Sequence, residues 1–328
     1  MPSFFQFAYN QLCVSLPKQT TDLSGKTVIV TGSNVGLGKE AARCFTQNKA
    51  STVILAVRSP EKGEAAKKDI EQTTGTKGVV QVWQLDMSSY QSVLDFAARA
   101  TKELARLDIA ILNAGVAKGD WEVVERDEAD LTINVVSTFL LALSLLPKMK
   151  QTATQYNTRP TLSIVSSEVH HFAKLPEANA PRGHIFAELN KKPAKVTTES
   201  MYMQYRVSKL LEVFGVRAIA DRRAAHAIPV TVNCLTPGLC HSELSREAGI
   251  GLVIIKFLLA RSTEAGSRTL VHAGTSGAET HGQYLSECQV ALPSEYVRSS
   301  EGYDVQNRVW EELMEKLEVI KPGVTGNL

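Results

Sequence analysis

From residue 26 onward, short runs of apolar and β-branched residues alternate with longer segments whose apolar positions fall at helical spacing. Six runs predict buried strands: KTVIVTG (26–32), STVILAV (51–57), VVQVWQLD (79–86), LDIAILN (107–113), TLSIVSS (161–167) and IPVTVNCL (228–235). GQYLS (282–286) predicts a seventh. Segments such as EAARCFTQ, EKGEAAKKDIEQ and YQSVLDFAARATKEL predict helices between them. Alternation of this kind builds βαβ units, hence an α/β fold with a doubly wound, seven-stranded, mostly parallel sheet and helices on both faces. No long Pro/Gly/Ser linker, repeat or low-complexity run divides the chain, so a single domain is expected over 21–328, behind an N-terminal arm at 1–20.

Two stretches break the rhythm. Residues 168–200 hold three prolines and no sustained period, and 239–262 contains a polar start running into the apolar GIGLVIIKFLLA. In a doubly wound sheet, ligands bind beyond the C-terminal ends of the strands, and both stretches follow such ends. They are the predicted pocket walls.

Composition narrows the partners. A net charge of +2 gives no electrostatic reason to expect nucleic acid, which leaves a small molecule or a protein. The five cysteines form no CxxC pair, which argues against a disulfide framework or a zinc site and for a reducing compartment, the cytoplasm. His170, His171 and His184 lack a spacing that would fix a metal, so none is expected; His170 or His171 is a candidate to face a substrate. The opening stretch MPSFFQFAYNQLCVSL is apolar but interrupted by Gln6, Asn10 and Gln11, too short and broken for a signal peptide or a membrane span. Packing of this arm on the domain is favoured over an interfacial membrane helix, because no Lys or Arg lines its polar face.

The first strand runs into TGSNVGLG, where Gly32, Gly36 and Gly38 open a helix. Glycines allow a sharp turn and close approach to a pyrophosphate, and the helix N-terminus offers free N–H groups. The spacing is GxxxGxG rather than GxGxxG; its strand-turn-helix setting makes it a dinucleotide cradle. At the end of the second strand, where a carboxylate would bind a ribose 2′-hydroxyl, stand Val57 and Arg58. A guanidinium there suits a 2′-phosphate and predicts NADP(H), with Ser33 and Lys39 as helpers; the plain alternative is a solvated surface charge. Tyr205 and Lys209 share a helix face at i, i+4, and of eight tyrosines only this one has lysine at that position. Spacing alone leaves a catalytic pair and an ordinary surface contact both open.

These motifs, in this order, resemble the short-chain dehydrogenase/reductase family, of Rossmann-type fold, over about residues 20–290. TGSNVGLG, including Leu37, resembles its glycine motif, and Asp86 matches the acidic residue that meets the adenine amino group. Asn113, Ala114 and Gly115 match its NAG; Asn134, Ser167 and YRVSK match its catalytic residues; and PGLCHS, with Pro237, Gly238 and Ser242, matches a cofactor-contacting turn where threonine is usual. The resemblance implies Tyr205 as proton donor at the start of its helix, with Lys209 bonding the nicotinamide ribose. It further implies that Ser167 binds the substrate oxygen and that Asn134 holds a water linking Lys209 to solvent. Ser166 competes with Ser167 as a strand-end brace, Asn134 has an alternative role as a buried amide, and Ser137 stands where glycine is frequent.

The long gap between Ser167 and Tyr205 and the histidine at 170 resemble the retinol-dehydrogenase-like subgroup, while the tail is similar to fungal secondary-metabolism members. The resemblance thus implies an NADPH-dependent reductase of a lipophilic ketone or aldehyde, polyketide-like in class. The alternatives are a retinol- or steroid-type dehydrogenase weakly associated with a membrane surface, and a redox-inactive protein that senses NADP. Oligomeric state is left open.

Overall fold

The computed structural model describes residues 4–241 and 259–328, so Ser242 and most of the predicted wall at 239–262 lie outside the described residues. The seven expected strands are present: β1 (Thr27–Thr31), β2 (Thr52–Val57), β3 (Val80–Gln84), β4 (Ile109–Leu112), β7 (Thr161–Val165), β8 (Thr231–Thr236) and β9 (Tyr284–Ser286). A small hairpin, β5 (Val123–Val124) and β6 (Asp127–Glu128), stands apart from them. An eighth strand, β10 (Gln289–Ala291), joins the main sheet antiparallel to β9. Its two-residue turn, Glu287 and Cys288, has φ of +54° and +61°, the left-handed geometry that matches strand twist. Neither residue is glycine or asparagine, so the sequence carried no turn signal there.

Sheet order is β3-β2-β1-β4-β7-β8-β9-β10, with all neighbours but the last pair parallel. The chain runs outward from β1 to β3 and then returns to β4 on β1's other side. Ligand crevices form at such a switch point, beyond the strand C-termini. Helices α2 (Gly36–Gln47) and α3 (Pro60–Thr74) cover one face; α4 (Tyr90–Glu103), α5 (Thr138–Tyr156) and α7 (Thr198–Arg222) cover the other. Between β9's side of the sheet and α2 lies α8 (Thr263–Thr275). Every residue of β1, β4, β7 and β8 is buried, as expected for parallel strands covered on both faces.

Helix α7 begins at Thr198, capped by Thr197 and Ser200, so Tyr205 sits two turns inside rather than at the start expected from sequence. Ahead of it, 168–200 forms two 3-10 turns and one short helix, α6 (Ile185–Leu189). Gly215 leaves room on α7 for the Phe139 ring of α5: a Cβ there would come within 2.1 Å of it. Residues 131–137, just before α5, are wound one residue per turn wider, as a π segment. Further on, Pro147 has no N–H for the Leu143 carbonyl. Asn327 Nδ2 donates to that carbonyl instead at 3.1 Å, and Lys150 Nζ donates to the Asn327 carbonyl at 2.6 Å. Helix α10 (Ser300–Ile320), which follows the one-turn α9 (Glu295–Arg298), packs on α7 and sets Trp310 edge-on against Phe139.

Among the described residues one helix, Leu131–Tyr156, is long and apolar enough to cross a membrane, but 94% of its apolar window is buried in the fold, which marks it as core. The arm forms α1 (Phe4–Cys13). Gln11 is buried and donates to the carbonyls of Leu239 (2.7 Å) and Leu259 (3.2 Å). Arg261 donates to the carbonyls of Asn10 and Val14 and pairs with Glu287 at 3.0 Å. These bonds dock the arm on the domain while leaving Tyr9 and Leu12 exposed.

Candidate active site

Beyond β1 the backbone turns at Gly32 and Gly36, with φ of +65° and +60°, and enters α2. A Cβ on Gly38 would lie 2.6 Å from Asn113 Nδ2 and 2.7 Å from the Gly32 carbonyl, whereas a Cβ on Gly36 would meet nothing within 4 Å. The cradle is therefore tight on its protein side and open on the other. No side chain caps the first turn of α2, which leaves its N–H groups for an anion. These features fit a dinucleotide pyrophosphate.

The other expected cofactor residues divide into two kinds. Asn113 Nδ2 donates to the Thr31 carbonyl, and Thr31 Oγ1 accepts from the N–H groups of Asn113 and Ala114, stitching β4 to the cradle. Ser33 is fully buried and its hydroxyl donates to the Val30 carbonyl, which makes it a brace of the turn. Leu37 leans on α8, where a Cβ on Gly266 would lie 2.8 Å from its Cδ2. Asp86 accepts from the N–H and hydroxyl of Ser88. Arg58 is exposed at the end of β2 and has no ion pair among the described residues, while Lys39 is held by Asp69 at 2.8 Å. Pro237 and Gly238 form a turn, with Gly238 at φ +73° and its N–H bonded to Thr236 Oγ1.

On the other side of the crevice, β7 delivers Ser166 and Ser167. Ser166 Oγ donates to the Lys209 carbonyl, making it the brace of α7. Ser167 reaches the Tyr205 phenol, and its hydroxyl favours the phenolate. Burial works against this and raises the Tyr205 pKa far above the ordinary phenol value, aided by the charge of Glu212. Lys209 Nζ lies 5.9 Å from the Tyr205 ring centre and donates to the Val165 carbonyl (2.9 Å) and to Glu212 Oε1 (2.8 Å).

Asn134 lies in the π segment, fully buried. Its Oδ1 accepts from the Val116 N–H, and its Nδ2 donates to the Val116 carbonyl and to Ser208 Oγ, each at 2.9 Å. Both amide donors are thus committed and one Oδ1 lone pair remains. A Cβ on Gly115 would lie 3.0 Å from Asn134 Oδ1 and 3.6 Å from Lys209 Nζ, so this glycine leaves the space that both approach.

Of the two candidates to face a substrate, His170 and His171, both border the cavity described below, but His170 is 1% exposed and both its ring nitrogens are engaged. Its Nε2 accepts from the Ser294 N–H (3.2 Å), which makes Nδ1 the protonated nitrogen that donates to the Ser167 carbonyl (2.7 Å). Burial, and then His171, pushes it down to about 3, so it is a neutral strut between the Ser167 loop and the C-terminal segment. His171 packs against it at a tilt of 45°, and the two border a cavity of about 510 Å³ walled by Leu175, Pro176 and Tyr296 and by Lys174, Glu295 and Glu301.

Two carboxyl groups near the phenol were missed from sequence. Glu212 is 2% exposed and pushed up to about 7 by burial, against the pull of Lys209. Asp130, fully buried beside Glu128, is pushed up to about 8 by burial and by Glu128's charge. The sequence signal for Glu212 was its place three residues after Lys209, on the same helix face; Asp130 gave none.

The short chain dehydrogenase family profile matches residues 26–157. The chain is 55% identical to the short chain dehydrogenase/reductase dmxR8 of Cryptosporiopsis sp., over 98% of this chain and 99% of that relative. It is 40% identical to the short-chain dehydrogenase anuD of Penicillium roqueforti, over 98% and 85%. A solved protein from Mycobacterium paratuberculosis shares the fold with a TM-score of 0.68 at 22% identity, over 92% of this chain and 96% of that one. A solved Shigella flexneri short chain dehydrogenase complexed with NADP has a TM-score of 0.59 at 20% identity, over 83% and 100%. With near full-length identity of this order, and with its cradle and Ser167–Tyr205–Lys209 cluster at the switch point of the sheet, the chain belongs to the short-chain dehydrogenase/reductase family.

Proposed function

We propose that the protein reduces a ketone or aldehyde of a lipophilic small molecule with NADPH. The observation that carries this reading is the meeting of the Tyr205 phenol, the Ser167 hydroxyl and the Lys209 ammonium opposite the glycine cradle. The nicotinamide, when bound, supplies the hydride. Ser167 donates a hydrogen bond to the substrate oxygen as negative charge develops there, and Tyr205 passes its phenolic proton to that oxygen. The carbonyl thereby becomes an alcohol and Tyr205 a phenolate. Lys209 stabilises the phenolate by charge, and Asn134 offers its remaining Oδ1 lone pair to a water on the path that returns a proton.

Support for NADP(H) over NAD(H) comes from the unpaired Arg58 guanidinium and from the NADP complex of the Shigella flexneri relative. The cavity beside His171 has a mixed wall: Leu175, Pro176 and Tyr296 accord with a lipophilic body, and Lys174, Glu295 and Glu301 with polar substituents on it. The fungal sources of the near relatives favour a polyketide-like intermediate of secondary metabolism. Five scattered cysteines without a CxxC pair accord with a cytoplasmic setting.

The test uses purified protein and a panel of aromatic ketones. Tyr205→Phe is expected to bind NADPH as the parent does yet lose at least about a hundredfold in rate. An undiminished rate would remove Tyr205 from this role. A second reading, action at a membrane surface, is favoured by the exposed Tyr9 and Leu12 of the docked arm. Flotation with neutral phospholipid vesicles, lost on Leu12→Ser, would establish it.

A further inference from the structure

The Lys209 ammonium has three N–H donors. Val165 takes one and Glu212 another, so a single donor remains for the side that faces the crevice. Glu212 reaches Lys209 from within the protein: it is 2% exposed, and its second oxygen is buried without a hydrogen-bond partner. A buried carboxylate is costly to a fold even with Lys209 bonded to it and the Ser166 hydroxyl nearby, and replacing such pairs by apolar residues often stabilises a protein. Packing alone gives no reason for a charge there.

We infer that Glu212 is a positioning residue for the reaction: it fixes the Lys209 ammonium from behind and offsets its charge, so that Tyr205 keeps its proton for delivery to the substrate oxygen. This rests on the reading of Tyr205 and Lys209 given above. A lone ammonium beside a phenol favours the phenolate; an ammonium paired with a carboxylate 2.8 Å away favours it far less. A phenol that stays protonated is the form from which reduction begins.

The surroundings agree. The charged and titratable groups around Tyr205 are Lys209, Glu212 and Tyr202 from its own helix and Asp130 from the segment before α5; among those that raise its pKa, Glu212 is the strongest. Those around Glu212 are Lys209 on α7 and Cys234 on β8, with Arg217 a turn beyond. Because Glu212 titrates at about 7, its offset is fully present only above that pH, and Glu212→Gln is a permanent copy of the protonated form.

The test reads Tyr205 directly. Full-length protein carrying 13Cζ-labelled tyrosine is titrated by NMR with excess NADP+, and Tyr205→Phe identifies the resonance. Glu212→Gln, which can still accept the Lys209 hydrogen bond, is expected to lower the Tyr205 midpoint by about one pH unit or more. Glu212→Asp, which keeps the charge, is expected to restore it. Glu212→Met fills a similar volume and gives the same reading if the glutamine variant does not fold. A Tyr205 trace unchanged from the parent in whichever neutral variant folds, whether titrating or flat, would overturn the inference. Failure of the Tyr205 assignment is a separate result: Tyr205→Phe would then turn over at the parental rate, whatever the Glu212 variants do.

Discussion

The two halves of the crevice are built on opposite principles. The cradle half, from β1 to α2, offers backbone: positive-φ glycines, an uncapped helix end and an exposed arginine. The catalytic half, from β7 to α7, offers buried groups that titrate, with Tyr205, Lys209, Glu212 and Asp130 all below a tenth exposed. Backbone dipoles hold their strength across pH, whereas buried acids and bases depend on one another's charge. Binding and chemistry should therefore respond to different insults.

Four substitutions would break or sharpen that contrast. Tyr205→Phe has the largest effect, with at least about a hundredfold lost in turnover and no loss in NADPH affinity measured by fluorescence. Should NADPH affinity fall in parallel, the halves are not separate. Gly38→Ala forces a Cβ against Asn113 and the Gly32 carbonyl, a crowding of backbone that costs about 1–3 kcal/mol, seen as a lower denaturation midpoint and weakened NADPH binding together. Arg58→Ala is expected to raise the KM for NADPH about tenfold while leaving that for NADH and the limiting rate alone. Equal use of both cofactors by the parent protein would instead make Arg58 a surface charge. Asn327→Ala, remote from both halves, leaves the buried Leu143 carbonyl unpaired and should cost about 1 kcal/mol or somewhat more, a drop of a few degrees in Tm.

The same contrast governs what could be read from the sequence. Glycines at these offsets between a β-branched run and a helix set a cradle apart from an ordinary tight turn, so it was legible, and so were the parallel strands whose unbroken apolar runs require burial on both faces. Glu212 was not, because an acid three residues after a lysine is also the pattern of an ordinary surface ion pair, and only burial tells the two apart. Strand β10 escaped because Glu287 and Cys288 adopt a turn that neither residue advertises. That His170 has both ring nitrogens engaged was not legible either, because one partner, the Ser294 N–H, lies 124 residues away, beyond any local pattern. The start of α7 was placed late because Thr197 and Ser200 cap it inside a stretch rich in breakers.

The bond between Asn327 and Leu143 spans 184 positions. Helix α5 continues from the segment that carries Asn134, and its proline break is closed by a residue that leaves the ribosome long after the helix itself. Until then the Leu143 carbonyl, in the middle of a long apolar helix, lacks the partner that closes it. Closure of the break in α5 is thus among the contacts of longest sequence separation in the fold, and it forms only after residue 327 has been made.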